Sequence, residues 1–196
     1  LGPIPREGMW GKKYKLRVTS KLTGKKEDIN FVFNQIIIHS LINEYETPET
    51  LGADRLALAY GSLKYSGEKL IIDFGTCITY DVVLENRYIG GQISLGLDMR
   101  LSSLNHYTKN LPKLKLDYVD GYIGRNTRDS ILVGVYDSIF FEINNVIEKY
   151  QSRYPNIKVI ITGGDLEYVK QRIKNINFID PYLLMHGLNY IIASNE

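Results

Sequence analysis

Three strand-like runs follow one another closely in the middle of the chain, and their spacing restricts how the chain can fold. The runs cover residues 70–74, 78–84 and 88–94, and residues 85–87 are all that join the last two. A crossover between parallel strands needs about a dozen residues or more, so connections this short fit only antiparallel neighbours. The sequence therefore predicts a three-stranded antiparallel unit at the centre of the fold.

The second half of the chain alternates helices with strands. The predicted elements are helices at 97–107 and about 127–150, a buried strand at 158–164, a helix from Leu166, a short strand at 178–180 and a last helix from Tyr182. Three antiparallel strands followed by helix, strand, helix, strand and helix is the order of an α/β ribonuclease-H-like domain. Such domains are the repeating halves of the actin, Hsp70 and sugar-kinase superfamily, whose members hold nucleotide in the cleft between two halves.

The first third of the chain has a less decisive pattern. Residues 13–20 alternate like a strand, and Thr23 with Gly24 is typical of a turn. Residues 29–41 carry apolar side chains at helical spacing, but their isoleucine-rich centre fits a buried strand equally well. A helix is expected at 53–65. This stretch therefore predicts at most part of a domain.

We accordingly predict two units, a partial or truncated N-terminal ribonuclease-H-like half with a substrate loop at 1–66 and a C-terminal ribonuclease-H-like domain at 67–196. The chain starts at Leu1 rather than at a methionine, which predicts that it begins inside a longer protein. The N-terminus also lacks the charged-then-apolar layout of a signal peptide.

Composition excludes several classes of function. The net charge of +2 is too small to favour binding to nucleic acid or to a membrane surface, and no apolar run reaches the length of about 18 residues that a transmembrane span needs. A single cysteine excludes an intrachain disulfide framework, and three scattered histidines argue against a zinc site. These features predict a globular protein of the reducing cytoplasm.

The end of the first central strand carries a candidate phosphate and cation site. Asp73 follows an apolar run that has no polar alternation, and Gly75 allows the backbone to bend and a ligand to approach the peptide N–H groups. Thr76 and Thr79 add hydroxyl donors, while a carboxylate can hold a metal ion or its water. The alternative is a tight hairpin in which Asp73 only caps its own turn.

A second glycine turn strengthens this interpretation. Gly163 and Gly164 follow a buried strand and precede a helix, so N–H groups at the helix start could face an anion or a nucleotide. Paired glycines at such turns are also common for conformational reasons alone. The combination of two glycine-bent strand ends in one domain favours a ligand site.

Two helix starts carry further candidates. Asp54 could accept a hydroxyl proton and Arg55 could clamp a carboxylate with its planar fork. The alternative is an acid that complements the helix dipole, followed by a surface arginine. Thr127 could point into a substrate pocket, but with Asn126 it could equally cap a helix.

The motifs together resemble type III pantothenate kinases over about three quarters of the chain. The matching stretches are YETPETLGADRLALA (45–59), IIDFGTCITYD (71–81), GGQISLGLDM (90–99), GRNTRDSILVG (124–134), ITGGD (161–165) and DPYLLMHGL (180–188). The resemblance implies ATP-dependent phosphorylation of pantothenate to 4′-phosphopantothenate, the first step of coenzyme A biosynthesis. It also implies a cytoplasmic homodimer that uses ATP with Mg²⁺ and a monovalent cation, K⁺ or NH₄⁺.

The resemblance also assigns roles by position. Asp54 is similar to the base that takes the proton from the pantothenate hydroxyl, and Asp73 is similar to the monovalent-cation ligand. The remaining positions implied are pantothenate contacts at Tyr45, Gly52, Ala53, Arg55 and Thr127, the last from the partner subunit, and ATP contacts at Gly75, Thr76, Gly163 and Gly164.

One departure from the family pattern leaves alternatives open. The family begins with an Asp-x-Gly-Asn-Thr hairpin that cradles ATP phosphates, and nothing in residues 1–44 matches it. We therefore consider a catalytically impaired relative that acts as a regulator or binding module. A kinase of the same superfamily for another small alcohol or acid is a further alternative.

Overall fold

The computed structural model of the protein describes residues 13–19, 26–32 and 41–193. Its strands are β1 (Lys13–Thr19), β2 (Lys26–Val32), β3 (Ile42–Asn43), β4 (Lys69–Phe74), β5 (Cys77–Leu84), β6 (Arg87–Leu95), β7 (Lys158–Thr162) and β8 (Phe178–Ile179). Its helices are α1 (Ala53–Gly61), α2 (Leu97–Tyr107), α3 (Thr127–Arg153), α4 (Leu166–Val169) and α5 (Leu183–Ala193).

A mixed six-stranded sheet, in the order β3-β6-β5-β4-β7-β8, forms the centre of the protein. The antiparallel pairing of β4 with β5 and of β5 with β6 confirms the sequence prediction. Strands β7, β8 and β3 each run parallel to their neighbours. Glu85 and Asn86 connect β5 to β6 with φ angles of 47° and 62°, the left-handed conformation that a two-residue hairpin turn requires.

Helices cover both faces of this sheet. The side chains of each strand alternate between the two faces, so both faces carry apolar residues that the helices bury. One face packs against α2 and α3, and the predicted apolar stripe of α3 lies in that core. The other face packs against α1 and α5 through buried residues such as Ile71, Val83 and Ile160. Both faces of the central strands are therefore apolar over most of their length, as the unbroken run at the start of β4 predicts.

Helix α3 is long and apolar enough to cross a membrane by length and composition. Its residues Ile131, Val135, Ile139, Ile143 and Ile147 are, however, buried against the central sheet. A stripe of this kind, on one side of the helix only, is typical of a core helix in a globular domain.

Helices α1 and α5 cross with their backbones in contact. A Cβ atom at Gly187 would overlap the carbonyl oxygen of Ala57, and one at Gly61 would overlap the carbonyl oxygen of Leu183. Glycine is therefore required at both positions by close approach rather than by a turn. Helix α1 ends at Gly61, and the remainder of the predicted helix at 53–65 is a 3₁₀ turn at Ser62–Lys64.

Some sequence predictions need correction. Of the two alternatives left open for 29–41, the helix needs correction where the comparison is possible, because residues 26–32 form the strand β2, an antiparallel partner of β1. The proposed turn at Thr23 and Gly24 lies outside the described residues. Helix α4 is a single turn of four residues.

The division between 1–66 and 67–196 stays a prediction. Strand β3 pairs with β6, and helix α1 packs on β5 and α5, so these two N-terminal elements share the sheet and core of the C-terminal unit. What the fold establishes is a mixed α/β sheet with helices on both faces.

Candidate functional site

A row of polar side chains crosses the α1 face of the sheet where the apolar residues end. Asp73 on β4 lies opposite Thr79 on β5 and beside Thr162 on β7, so all three point to the same face. Asp81 lies two residues beyond Thr79 and shares that face. Thr79, Asp81 and Thr162 are buried. Buried polar groups need partners, and Asp81 finds one at the start of α1.

The partner of Asp81 is Arg55, with which it forms a buried ion pair. The Arg55 Nε donates a hydrogen bond to Asp81 Oδ1 at 2.9 Å, and Nη2 lies 2.7 Å from the same oxygen. Asp81 is 0% exposed and Arg55 is 5% exposed. The Tyr88 hydroxyl donates to Asp81 Oδ1 at 2.7 Å, and the Thr79 hydroxyl donates to Oδ2 at 3.0 Å. Asp81 is therefore held by three donor groups.

Electrostatics keep this guanidinium charged. Burial by itself would lower the pKa of Arg55, but the hydrogen bond and the negative charge of Asp81 outweigh it and raise that pKa. No acceptor among the described residues is aligned with the hydrogens of Nη2, although the atom is buried. The Arg55 side chain therefore keeps hydrogen-bonding capacity beyond its ion pair.

Asp54 lies on the surface in the first turn of α1. Its Oδ1 accepts a hydrogen bond from the backbone N–H of Arg55 at 2.8 Å. A Cβ at Gly52, the residue before the helix, would lie 2.5 Å from that carboxylate oxygen, so glycine leaves room for the carboxylate to fold back. Ala53 is half-buried between them.

Asp73 is half-buried at the end of β4 and shares its surroundings with other carboxylates. Burial raises the pKa of Asp73 to about 7, and the negative charges of Asp54, Asp81 and Asp165 add to the rise. A carboxyl group in such a place favours either a proton or a bound cation. Asp54 is therefore near enough to Asp73 for the two negative charges to interact.

The turn after Asp73 is closed by its own hydrogen bonds. The Gly75 N–H donates to the Cys77 carbonyl at 3.1 Å, and the Gly96 N–H donates to the Thr76 carbonyl at 3.0 Å. Gly75 does not have a positive φ, so its backbone conformation does not require glycine. The Thr76 side chain is exposed and takes no part in these two backbone hydrogen bonds.

The second glycine turn is packed directly against the end of β4. Gly163 has a φ of 110°, and a Cβ there would overlap backbone atoms of Phe74 and lie 2.6 Å from Asp73 Oδ1. The Asp165 N–H donates to the Phe74 carbonyl at 3.0 Å. Packing therefore explains Gly163, whereas Gly164 is exposed. A four-residue helix supplies little dipole for anion binding, which weakens that part of the sequence argument.

Tyr45 lies beside the ion pair. Its ring centroid is 5.7 Å from the guanidinium carbon of Arg55 and 6.1 Å from the ring of Tyr88. A Cβ at Gly90 would approach the Tyr45 ring to 3.2 Å, so this glycine makes room for the aromatic side chain. The sequence-predicted residues Tyr45, Arg55 and Asp54 thus belong to one site.

Thr127 is not part of that group. It is exposed at the first residue of α3, where Asn126 caps the helix by accepting a hydrogen bond from the Asp129 N–H. It lines a groove of about 1000 Å³ between α2 and α3, together with Leu95 and Arg100. Within one chain, Thr127 therefore faces a separate surface.

Sequence reasoning missed Asp81. Its side chain meets Arg55 across 26 positions of sequence, which no local pattern reveals. The available signal was the alternation of Asp73, Thr79 and Asp81 on neighbouring strands. Among the residues that the structure describes, no three His, Cys, Asp or Glu side chains are grouped closely enough to hold a metal ion.

Comparison with known proteins finds a family and relatives that this chain resembles. The profile of the family "Type III pantothenate kinase" matches residues 19–149. The chain is 42% identical over 168 residues to a type III pantothenate kinase of Flavobacterium johnsoniae, covering 84% of this chain and 68% of that protein. It is 43% identical over 157 residues to one of Christiangramia forsetii, covering 79% and 65%. The chain thus spans about two thirds of the length of these relatives.

A solved structure is also similar. The fold matches that of a conserved protein from Campylobacter jejuni described as a Baf family transcriptional activator, with a TM-score of 0.56 and 23% identity. The match covers 80% of this chain and 69% of the other. At this identity the likeness concerns the fold alone.

Proposed function

The chain belongs to the type III pantothenate kinase family, and on that premise we propose that the protein transfers the terminal phosphoryl group of ATP to the hydroxyl of pantothenate. The product is 4′-phosphopantothenate, and the reaction is the first step of coenzyme A biosynthesis. The observation that carries the proposal is the polar row of Asp73, Thr79 and Asp81 on the sheet, which the Arg55–Asp81 ion pair joins to the start of α1.

Asp54 is proposed as the catalytic base. It is exposed to an incoming substrate, and the backbone N–H of Arg55 fixes one of its oxygens at 2.8 Å, leaving the other available for a hydroxyl proton. General base catalysis by a positioned carboxylate contributes about 10²- to 10⁴-fold to a rate. In phosphoryl transfer the rest comes from positioning and from neutralising charge.

The nucleotide is proposed to lie along the two glycine turns. The exposed Thr76 hydroxyl and the adjacent Gly75, together with Gly163 and Gly164, flank the end of β4 where phosphates would approach. Mg²⁺ would arrive with ATP and take its ligands largely from phosphate and water. A monovalent cation, K⁺ or NH₄⁺, fits Asp73, since a bound cation relieves the repulsion among its carboxylate neighbours.

Pantothenate is proposed to occupy the space beside α1. Tyr45, Gly52, Ala53 and Arg55 lie at or beside the start of that helix, and the positive charge of Arg55 suits the substrate carboxylate. Thr127 would reach the pocket of a second copy, since it faces a separate surface in its own chain. A contact of this kind requires two copies of the chain, and we propose that the protein is a cytoplasmic homodimer.

The fold is proposed to be ribonuclease-H-like, of the actin, Hsp70 and sugar-kinase superfamily. Support comes from three antiparallel strands that extend through β4 into parallel β7 and β8, with helices on both faces. In this scheme residues 1–66 belong to an N-terminal half and residues 67–196 to a C-terminal half.

The alternative of an impaired relative gains no support from the relatives, which are named as kinases. A direct assay separates the two. With ATP, Mg²⁺ and K⁺, we expect the protein to form 4′-phosphopantothenate, and we expect calorimetry to detect Mg²⁺-dependent ATP binding. Pantothenate binding without ATP binding or turnover would favour the binding module instead. A panel of other small alcohols and acids tests the third alternative.

The cation site predicts a specific pH dependence. Because the pKa of Asp73 is about 7, protons compete with K⁺ for its carboxylate below that pH. We expect the K⁺ concentration that gives half-maximal activity to fall about tenfold between pH 6 and pH 8. Assays at constant ionic strength, with choline replacing K⁺, measure this directly. A half-saturating K⁺ concentration that is the same at both pH values would remove Asp73 from the cation site.

A further inference from the structure

We propose that Asp81 is a positioning residue, which holds Arg55 and thereby fixes the first turn of α1, with Asp54, opposite the Gly75–Thr76 turn. This inference rests on the proposed function. It adds a role for a residue that touches neither substrate directly, because Asp81 is fully buried beneath Arg55.

The hydrogen bonds of Asp81 point to positioning. Its Oδ1 receives Arg55 Nε at 2.9 Å and the Tyr88 hydroxyl at 2.7 Å, and its Oδ2 receives the Thr79 hydroxyl at 3.0 Å. Thr79 and Tyr88 come from β5 and β6, so the carboxylate is anchored on two strands. The guanidinium that it holds therefore has one defined location above the sheet.

Stability alone gives little reason for this ion pair. Removing two charges from water costs free energy that their attraction in the interior only partly returns, and well-packed apolar pairs of similar size are often at least as stable. An apolar pair would also match the surrounding core, where Ile71 and Val83 flank the row. A buried charge pair placed next to the proposed base instead gives a directional contact.

The Arg55–Asp81 ion pair connects the start of α1, which carries Asp54, to the hairpin that carries the Gly75–Thr76 turn. Arg55 follows Asp54 directly, and its backbone N–H holds the Asp54 carboxylate. Asp81 lies on the hairpin strand that follows the Gly75–Thr76 turn. The ion pair thus sets the distance between base and phosphate, and a displacement of about 1 Å can cost about 10²-fold in rate.

The test replaces Asp81 by asparagine, which keeps the shape and removes the charge. We expect kcat of the folded protein to fall about 100-fold, with the KM for ATP within about threefold of wild type. A second readout does not depend on activity. In ¹⁵N NMR, the Arg55 Nε–H signal, assigned by its loss in Arg55→Lys, is expected to resist exchange with water in wild type and to exchange rapidly in Asp81→Asn.

A matched control separates positioning from a general effect on the fold. Asp180 is also buried and accepts a hydrogen bond from the Tyr65 hydroxyl at 3.1 Å, with Lys64 Nζ at 2.6 Å, at the end of α1 away from Asp54. Asp180→Asn is expected to lower the melting temperature but to leave kcat of the folded protein unchanged. If Asp81→Asn behaves in the same way, the proposal is overturned.

Milder variants apply if Asp81→Asn does not fold. Thr79→Val and Tyr88→Phe each remove one hydrogen bond to Asp81 and leave the ion pair intact. Each is expected to lower kcat at least threefold with the KM for ATP unchanged, and wild-type kcat in both would contradict the proposal. A different result would separate the two proposals. If the wild-type protein does not phosphorylate pantothenate but its Arg55 Nε–H signal is protected from exchange, the proposed function is refuted and the anchoring of Arg55 by Asp81 still stands.

Discussion

Asp54→Asn is expected to lower kcat for pantothenate phosphorylation by about 10³-fold without unfolding the protein. Asparagine cannot accept the hydroxyl proton, but its side-chain oxygen can still accept the hydrogen bond from the Arg55 N–H. The substituted residue is exposed in the first turn of α1, so the loss of helix-dipole stabilisation is limited to about 0.3–1 kcal/mol. Steady-state kinetics and a thermal melt of the same sample measure both effects.

Asp98 provides a matched control for this substitution. It is also exposed, in the first turn of α2, and its helix likewise follows a glycine, Gly96. Asp98→Asn should therefore change the melting temperature by a similar small amount and leave kcat at the wild-type level. Turnover by Asp54→Asn that matches wild type would exclude this carboxylate as the base.

Gly163→Ala is expected to destabilise the protein by about 3 kcal/mol or more. The φ of 110° strains any L side chain by about 1–3 kcal/mol. The added Cβ would also press on the Phe74 backbone and on Asp73, and overpacking of this kind costs a further 1–3 kcal/mol or so. Urea denaturation followed by circular dichroism measures the change in the free energy of unfolding.

Gly134→Ala is the corresponding control, because the same substitution is expected to raise the free energy of unfolding there instead of lowering it. Gly134 lies inside α3 with open space around it and without a positive φ, so alanine should stabilise the protein by about 0.4–1 kcal/mol. If both variants were equally stable, the conclusion that Gly163 packs closely on β4 would be wrong. Activity of Gly163→Ala in its folded fraction would further report on how strictly Asp73 must be placed.

The elements with strong local signals could be predicted from sequence almost to the residue. Helix α2 occupies 97–107 as expected, and α3 begins at Thr127 because Asn126 caps it. Residues 26–32 were different, since apolar residues at the spacing of Ile29 and Val32 suit a helix or a strand, and the pairing with β1 decides between them. The two-residue β3 has no local signal, because its pairing with β6 is a long-range contact.

The sequence indicated candidate residues for the site but not their contacts. Asp54 and Asp73 were both candidates, and the negative charge of Asp54 adds to the rise in the pKa of Asp73. Arg55 was expected either on the surface or on a substrate, and the structure instead buries it against Asp81. The difference arises because α1 is covered on two sides, by the sheet and by α5, so that every residue of the helix from Arg55 onward is buried.

The crossing of α1 and α5 has a consequence for how this part of the protein could move. Where two helices touch backbone to backbone at Gly61 and Gly187, neither can roll or slide on the other without a steric clash or an empty space. The pair must therefore move as one rigid unit. A hinge in this part of the protein would have to lie outside the pair, and α5 would travel together with Asp54.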